Sequence, residues 1–163
     1  MGQKVHPIGF RIGVIREPDS RWYVHKKQYP ALLENDFKIR KFISNRIGKG
    51  VISRVDIERA ANKVRVTLLT ARPGAIIGKG GKGIDDLTME LQKIVGKQDT
   101  PAIIHLTVTQ SPQPDLDRQL VAENIAIQIE KRIAPRRAMR SAISRALRMN
   151  CRGIKVIVSG RLG

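Results

Sequence analysis

The stretch Ala75–Ile84, AIIGKGGKGI, sets four glycines and two lysines between isoleucines. Glycine lets a backbone approach phosphate or sugar closely and lysine adds positive charge, so the cluster suits three chemistries: cradling a nucleotide's phosphates, wrapping a dinucleotide, or clamping single-stranded nucleic acid. Spacing separates them. The pattern G-x-x-x-x-G-K-[ST] is absent, because Gly74 and Gly78 are four apart, Lys79 is followed by Gly80, and no Ser or Thr follows to hold magnesium. Gly78, Gly80 and Gly83 satisfy G-x-G-x-x-G formally. That motif must turn directly from strand to helix, whereas Ala71–Ile77 intervenes here, and Asp99 precedes the next strand instead of ending it, where a ribose ligand is needed. What remains is Ile76-Ile77-Gly78-Lys79-Gly80-Gly81-Lys82-Gly83-Ile84, an I-I-G-x-x-G-x-x-I arrangement between two helices. Gly78 and Gly81 admit a sugar-phosphate chain, the following helix offers free N–H groups and a positive dipole end, Lys79 and Lys82 add charge, and Ile77 and Ile84 floor a groove for bases.

Other site chemistry is sparse. His6, His25 and His105 stand singly, so no clustered metal site is expected. Cys151 is the only cysteine, which excludes an intramolecular disulfide and fits a reducing interior. No paired carboxylates or nucleophile–base pair suggest catalysis, and no cofactor or small-molecule substrate is expected. No apolar run reaches the roughly 18 to 20 residues of a membrane span, and MGQKVHPIGFRIG lacks the apolar segment of a signal peptide, so retention where the chain is made is expected.

Charge is the strongest compositional feature. Lys and Arg number 31 against 14 Asp and Glu, a formal +17. The pI is near 11.0. Such a field attracts polyanions, and because no segment couples its basic residues to a broad apolar face edged by Trp or Phe, nucleic acid is the expected partner, not lipid. After Glu130 no acid recurs, while Lys131, Arg132, Arg136, Arg137, Arg140, Arg145, Arg148, Arg152, Lys155 and Arg161 follow. Cations without internal anions repel one another until a ligand neutralises them.

Periodicity places these residues on elements. Residues 1–16 read as a basic, extended lead-in with Pro7, Gly9 and Gly13. Asp36 can cap a helix to about Ile47, with Ile39, Phe42, Ile43 and Ile47 inward, Lys38, Arg40, Lys41 and Arg46 mostly outward, and Gly48 and Gly50 ending it. Val51–Glu58 and Lys63–Thr70 read as an antiparallel hairpin with Ile52, Val55, Ile57, Val64, Val66 and Leu68 as core candidates, joined by a link from Arg59 to Asn62. Pro73 opens a short helix to Ile77, the glycines interrupt it, and Ile84, Leu87, Leu91 and Ile94 mark the next helix. Ala102–Val108 is a third strand with Ile104, Leu106 and Val108 on one face. From Pro114 a long helix carries Val121, Ile125, Ile129 and Ile133 until Pro135 stops it. A second helix, Arg136–Met149, sets Met139, Ile143, Ala146 and Leu147 to one side, and Gly153 introduces a strand, Ile154–Ser159. Two helices and one strand do not close a sheet, so this second domain looks incomplete: either the chain continues past Gly163 or the strand pairs with a partner. The aromatics Phe10, Trp22, Tyr23, Tyr29, Phe37 and Phe42 all precede the first strand, so the sheet cannot stack bases, and these rings are expected mainly in the core.

The loop, its hydrophobes and the element order resemble the KH domain, whose G-x-x-G loop clamps a short single-stranded segment. A helix before the first strand matches its prokaryotic type. Four separated motifs, MGQKVHPIGFRIG, TARPGAIIGKGGKGI, RRAMRSAISRAL and GIKVIVSGRLG, are similar in type and order to the S three family of small-subunit ribosomal proteins of bacteria or plastids. That resemblance implies an α+β protein: a basic arm (1–16), a prokaryotic-type KH domain (17–110) and a partial second α/β domain (111–163). It implies small-subunit rRNA, mRNA and neighbouring head and entry-channel proteins as partners, in the bacterial cytoplasm or the plastid stroma. It also implies that Arg136, Arg137 and Arg140 face an mRNA entry channel and help unwind message, with Arg140 standing where the family has a lysine. Lys4, His6 and Arg11 of the arm, with Arg145 and Arg148, are the implied rRNA contacts. The family continues with further strands after S-G-R-L-G. Two rival classes stay open here: a free-standing KH regulator of mRNA, which has no reason to carry both arm and arginine helix, and an enzyme using the loop for a nucleotide.

Overall fold

The computed structural model describes residues 2–60, 63–95 and 103–161. The elements run α1 (Pro7–Arg11), β1 (Ser20–Arg21), α2 (Tyr29–Ile47), β2 (Ile52–Ala60), β3 (Lys63–Thr70), α3 (Pro73–Ile77), a single 3-10 turn (Lys79–Gly81), α4 (Lys82–Val95), β4 (Ile103–Gln110), α5 (Arg118–Glu130) and α6 (Pro135–Arg148). Asn62, Asp99, Ala102 and Gly163 lie outside the described residues.

Alternation builds the sheet. Val64, Val66 and Leu68 point to one face of β3, and the register sets Ile57 and Leu106 beside Val66, and Val55 and Val108 beside Leu68. The strand order is β1-β2-β3-β4, with β2 and β3 antiparallel as expected. The outer pairs, β1 with β2 and β3 with β4, are parallel. A parallel neighbour needs a crossover, and α3, the glycine loop and α4 are that crossover. One cluster joins this face to Ile39 and Ile43 of α2, Ile76 of α3, and Leu87, Leu91 and Val95 of α4. Val95, not Ile94, is the last fully buried residue of α4.

Four expectations are corrected. Helix α2 starts at Tyr29 with Pro30 in its first turn, and Asp36 lies within it, buried. Its carboxylate is not free to cap: Oδ2 accepts from Ser20 Oγ (3.0 Å) and Trp22 Nε1 (2.8 Å), and Oδ1 from Arg59 Nε (3.0 Å) and NH2 (2.6 Å). Arg40 likewise turns inward, donating to the carbonyls of Val55 and Asp19. Second, the arm is not wholly extended: Pro7 opens α1, and His6 Nδ1 accepts from Gly9 N–H (3.3 Å) as its cap. Third, α5 begins at Arg118 instead of Pro114, because the Asp117 carboxylate accepts from the N–H groups of Gln119 and Leu120. It ends at Glu130, short of Ile133, where Arg132 takes φ 60, and Pro135 opens α6 rather than only stopping α5. Fourth, Ile154–Ser159 is no strand among the described residues, because no neighbour pairs with its backbone. Val156 and Val158 nevertheless pack inward on Ile125, Ala138 and Ala142, forming a second cluster with Val121 and Ile129.

Alanines, not larger residues, are the buried face of α6: Ala138, Ala142 and Ala146, with Leu147 52% exposed. The two clusters meet where the turn after α2 touches α5. Gly50 N–H donates to Glu123 Oε2 (2.6 Å), Lys49 Nζ reaches Glu130 Oε1 (2.8 Å), and Ser53 Oγ donates to Asp117. The Glu130 hydrogen bond, then its charge, hold the Lys49 ammonium above its ordinary lysine value.

Candidate nucleic-acid interface

The glycine loop is built by three residues in the left-handed region. Gly78 (φ 70) ends α3 while its N–H donates to Gly74 O (3.1 Å), Gly80 (φ 64) bends the 3-10 turn, and Gly81 (φ 84) leads into α4. Gly83 serves a different need: a Cβ there would lie 2.5 Å from Ile76 O and 3.0 Å from Ile77 O. The start of α4 therefore lies directly against the last carbonyls of α3. This junction lifts Lys79, Gly80 and Lys82 into solvent, with Gly81 half-buried. Among the described residues neither lysine has an anionic partner. Ile76 is buried, whereas Ile77 is 36% exposed and Ile84 half-buried, leaving an apolar surface beside the charged turn. The expected loop residues thus converge on one site that offers backbone approach, two free charges and an apolar floor.

Helix α6 carries the second group. Its alanine face turns in, so Arg136, Arg137, Arg140 and Arg148 are exposed on the outer half of the helix and Arg145 is half-buried at the flank of the alanine face. Arg136 and Arg137 occupy the first turn, where no acid and no capping side chain are present. Cations at a helix's positive end are unfavourable by about 0.3–1 kcal/mol each, a cost an external anion removes.

The fold also gathers cations that spacing did not. His6 and Arg11 border a cleft of about 850 Å³ with Arg16, Arg54 and Arg118, where the arm meets β2 and the start of α5. Arg54 is held up in pKa chiefly by its hydrogen bond to Asp56. Arg145 joins Lys49, Arg72 and Lys131 around a second cleft of about 460 Å³ at the junction of the two clusters. Lys131 opens the basic run after Glu130, whereas nothing along the chain signalled Arg72 beyond its place at the end of the hairpin. Lys4 is exposed on the arm, outside both clefts. Among the described residues no group of three or more His, Cys, Asp or Glu can hold a metal ion, and no helix is long and apolar enough to cross a membrane.

A helix–GKGG–helix unit crossing between parallel strands of a mixed sheet defines a KH-type nucleic-acid-binding protein. Residues 38–134 match the family model of the KH domain, and residues 125–163 match that of the ribosomal protein S3 C-terminal domain. The small ribosomal subunit protein uS3 of Carboxydothermus hydrogenoformans is 54% identical over 162 residues, covering 99% of this chain and 71% of the relative. That of Pelotomaculum thermopropionicum is 51% identical, with coverage of 99% and 68%, and that of Shouchella clausii is 50% identical, with 100% and 72%. The chain belongs to the uS3 family of small ribosomal subunit proteins.

Proposed function

We propose that the chain is a structural, non-enzymatic constituent of the small ribosomal subunit that binds rRNA in the subunit head and helps line the mRNA entry channel, assisting passage or unwinding of message. The structural ribosomal role follows from uS3 family membership. Ribosome association in a bacterial cytoplasm accompanies it, with the plastid stroma as the alternative setting. Within this reading, residues 1–16 are an rRNA-binding arm, 17–110 the KH domain and 111–163 the second domain. The two separate hydrophobic clusters support that division.

One observation supports the channel role above the others: the outer arginines of α6, two of them at an uncapped positive helix end, have no anionic partner among the described residues. Arg136, Arg137 and Arg140 face the message in this reading. Lys4, His6, Arg11, Arg145 and Arg148 hold rRNA, and the loop from Ile77 to Ile84 clamps single-stranded RNA. Neighbouring head and entry-channel proteins cover other faces. Phosphate contacts dominate, so log affinity should fall against log salt by roughly 0.9 per neutralised phosphate on a duplex and 0.7 on a single strand. Sucrose-gradient sedimentation of a lysate carrying the tagged chain, at moderate and then high salt, tests the assignment. Co-migration with the small subunit is expected, and migration as a free protein that binds short RNA would return the reading to a free-standing KH regulator.

A further inference from the structure

Aromatic side chains expected in the core stand outside it. Tyr23 is 90% exposed, Phe37 66% and Tyr29 50%. Large exposed rings clustered with charge mark a contact surface, not a packing remainder. Tyr29, Leu33, Phe37 and Lys41 form one exposed i, i+4 row that winds around α2 from the edge of the buried Ile39 and Ile43 face at Tyr29 to its far side at Lys41. Lys26 and Lys27 lie exposed in the turn between Tyr23 and Tyr29.

The ledge is preorganised. Trp22 is pinned by its Nε1 bond to the buried Asp36, and the Tyr29 ring lies against it with centroids 5.5 Å apart at 47°. A ring already held in place loses little freedom when a ligand lands on it. The neighbouring charge is one-sided: Glu34, the acid nearest along this face, is engaged by Lys38 (2.7 Å), while Lys26, Lys27 and Lys41 have no anionic partner among the described residues.

We propose that Tyr23, Lys26, Lys27, Tyr29, Phe37 and Lys41 form a second RNA-contacting surface, a ledge on which unpaired bases stack while the lysines take the adjoining phosphates. It is distinct in residues from the glycine loop and does not rest on the channel reading. Exposed π-faces and unpaired cations match the two halves of a nucleotide. A protein partner would have to bring both an apolar insert and a carboxylate rim to the same face.

The single tryptophan adjoins the ledge and reports on it. The test titrates the full chain with a short, unstructured oligouridylate and follows Trp22 emission, in a Lys79→Asp/Gly80→Asp background that removes the loop's contribution. Quenching is expected. Tyr23→Ala should then weaken binding about 5- to 150-fold, the ratio corresponding to one lost stacking contact, with the salt slope unchanged. Tyr23 touches too little of the fold for unfolding to explain that loss, and circular dichroism checks it. Lys26→Ala with Lys27→Ala should instead lower the slope by about 1.4. Wild-type affinity in both Tyr23→Ala and Phe37→Ala would overturn the proposal. Unchanged RNA affinity combined with failure to join the small subunit would also overturn it, and would make the face a protein dock. Equal RNA binding with and without the loop substitutions would count against the loop clamp alone.

Discussion

Two glycines of the loop motif should respond oppositely to the same substitution. At Gly83 an added Cβ meets two backbone carbonyl oxygens, Ile76 O at 2.5 Å and Ile77 O at 3.0 Å. Backbone atoms have no rotamer with which to yield, and a comfortable C···O contact is about 3.3–3.6 Å, so α4 must slide away from α3 by roughly 1 Å. Overpacking of this kind costs about 1–3 kcal/mol. At Gly74, within α3, the added Cβ has no heavy atom within 4 Å, and the residue is not among those with positive φ. There alanine should contribute the ordinary helix gain of about 0.5–1 kcal/mol. Because that gain is common to both variants, the difference between them isolates the steric cost, about 1–3 kcal/mol. Urea unfolding of Gly83→Ala and Gly74→Ala measures it. RNA affinity supplies a second readout: Gly83→Ala displaces the loop and should bind single strands more weakly, whereas Gly74→Ala should bind as before. Equal stabilities within a few tenths of a kcal/mol would refute the claim that close approach of the two helices holds the loop in place.

The remaining predictions concern the charges. Asp36→Ala leaves the nearly buried Arg59 guanidinium unpaired and should cost about 3–5 kcal/mol, with a red shift of Trp22 emission as its anchor is lost; a loss below about 1 kcal/mol would show that the pair is not desolvated. Lys79→Asp with Gly80→Asp should weaken single-stranded RNA binding and preserve the fold, since Gly80 has open space around it and Asp tolerates its φ of 64; unchanged affinity with an unchanged circular dichroism spectrum would remove the clamp. Arg136→Ala, Arg137→Ala and Arg140→Ala together should slow translation of structured messages more than unstructured ones. Equal slowing of both would reduce α6 to an rRNA anchor. The same triple variant should lower the salt slope of duplex binding by about 2.7 if each arginine holds one phosphate.

Much of the geometry of the candidate site was local and therefore legible in the chain. The loop needs glycines at fixed offsets, flanking helices of period near four and a hairpin of period two. Each is written within a few residues, so Pro73–Ile77, Lys63–Thr70 and the placement of Gly78, Lys79 and Gly81 followed from spacing. The arginine face of α6 followed from the run of cations, although its buried side proved to be Ala138, Ala142 and Ala146. Local rules failed where a distant partner decided the outcome. Asp36 is a good cap by type, yet Arg59, Trp22 and Ser20 draw it into the interior of a longer helix. Ile154–Ser159 has a strand's alternation, but a strand is defined by a neighbour's hydrogen bonds. Aromatic rings default to the core on hydrophobicity alone, and only the packing of α2 through Ile39 and Ile43 turned Tyr29 and Phe37 outward. The same holds for the two clefts, where Arg72 shares a lining with Arg145 and His6 with Arg118 although they are distant in sequence. The sequence by itself determined the loop, its charge and the polyanionic class of ligand, since these depend on neighbours along the chain. Tertiary structure alone decided which cations and rings share a surface, since that depends on neighbours in space.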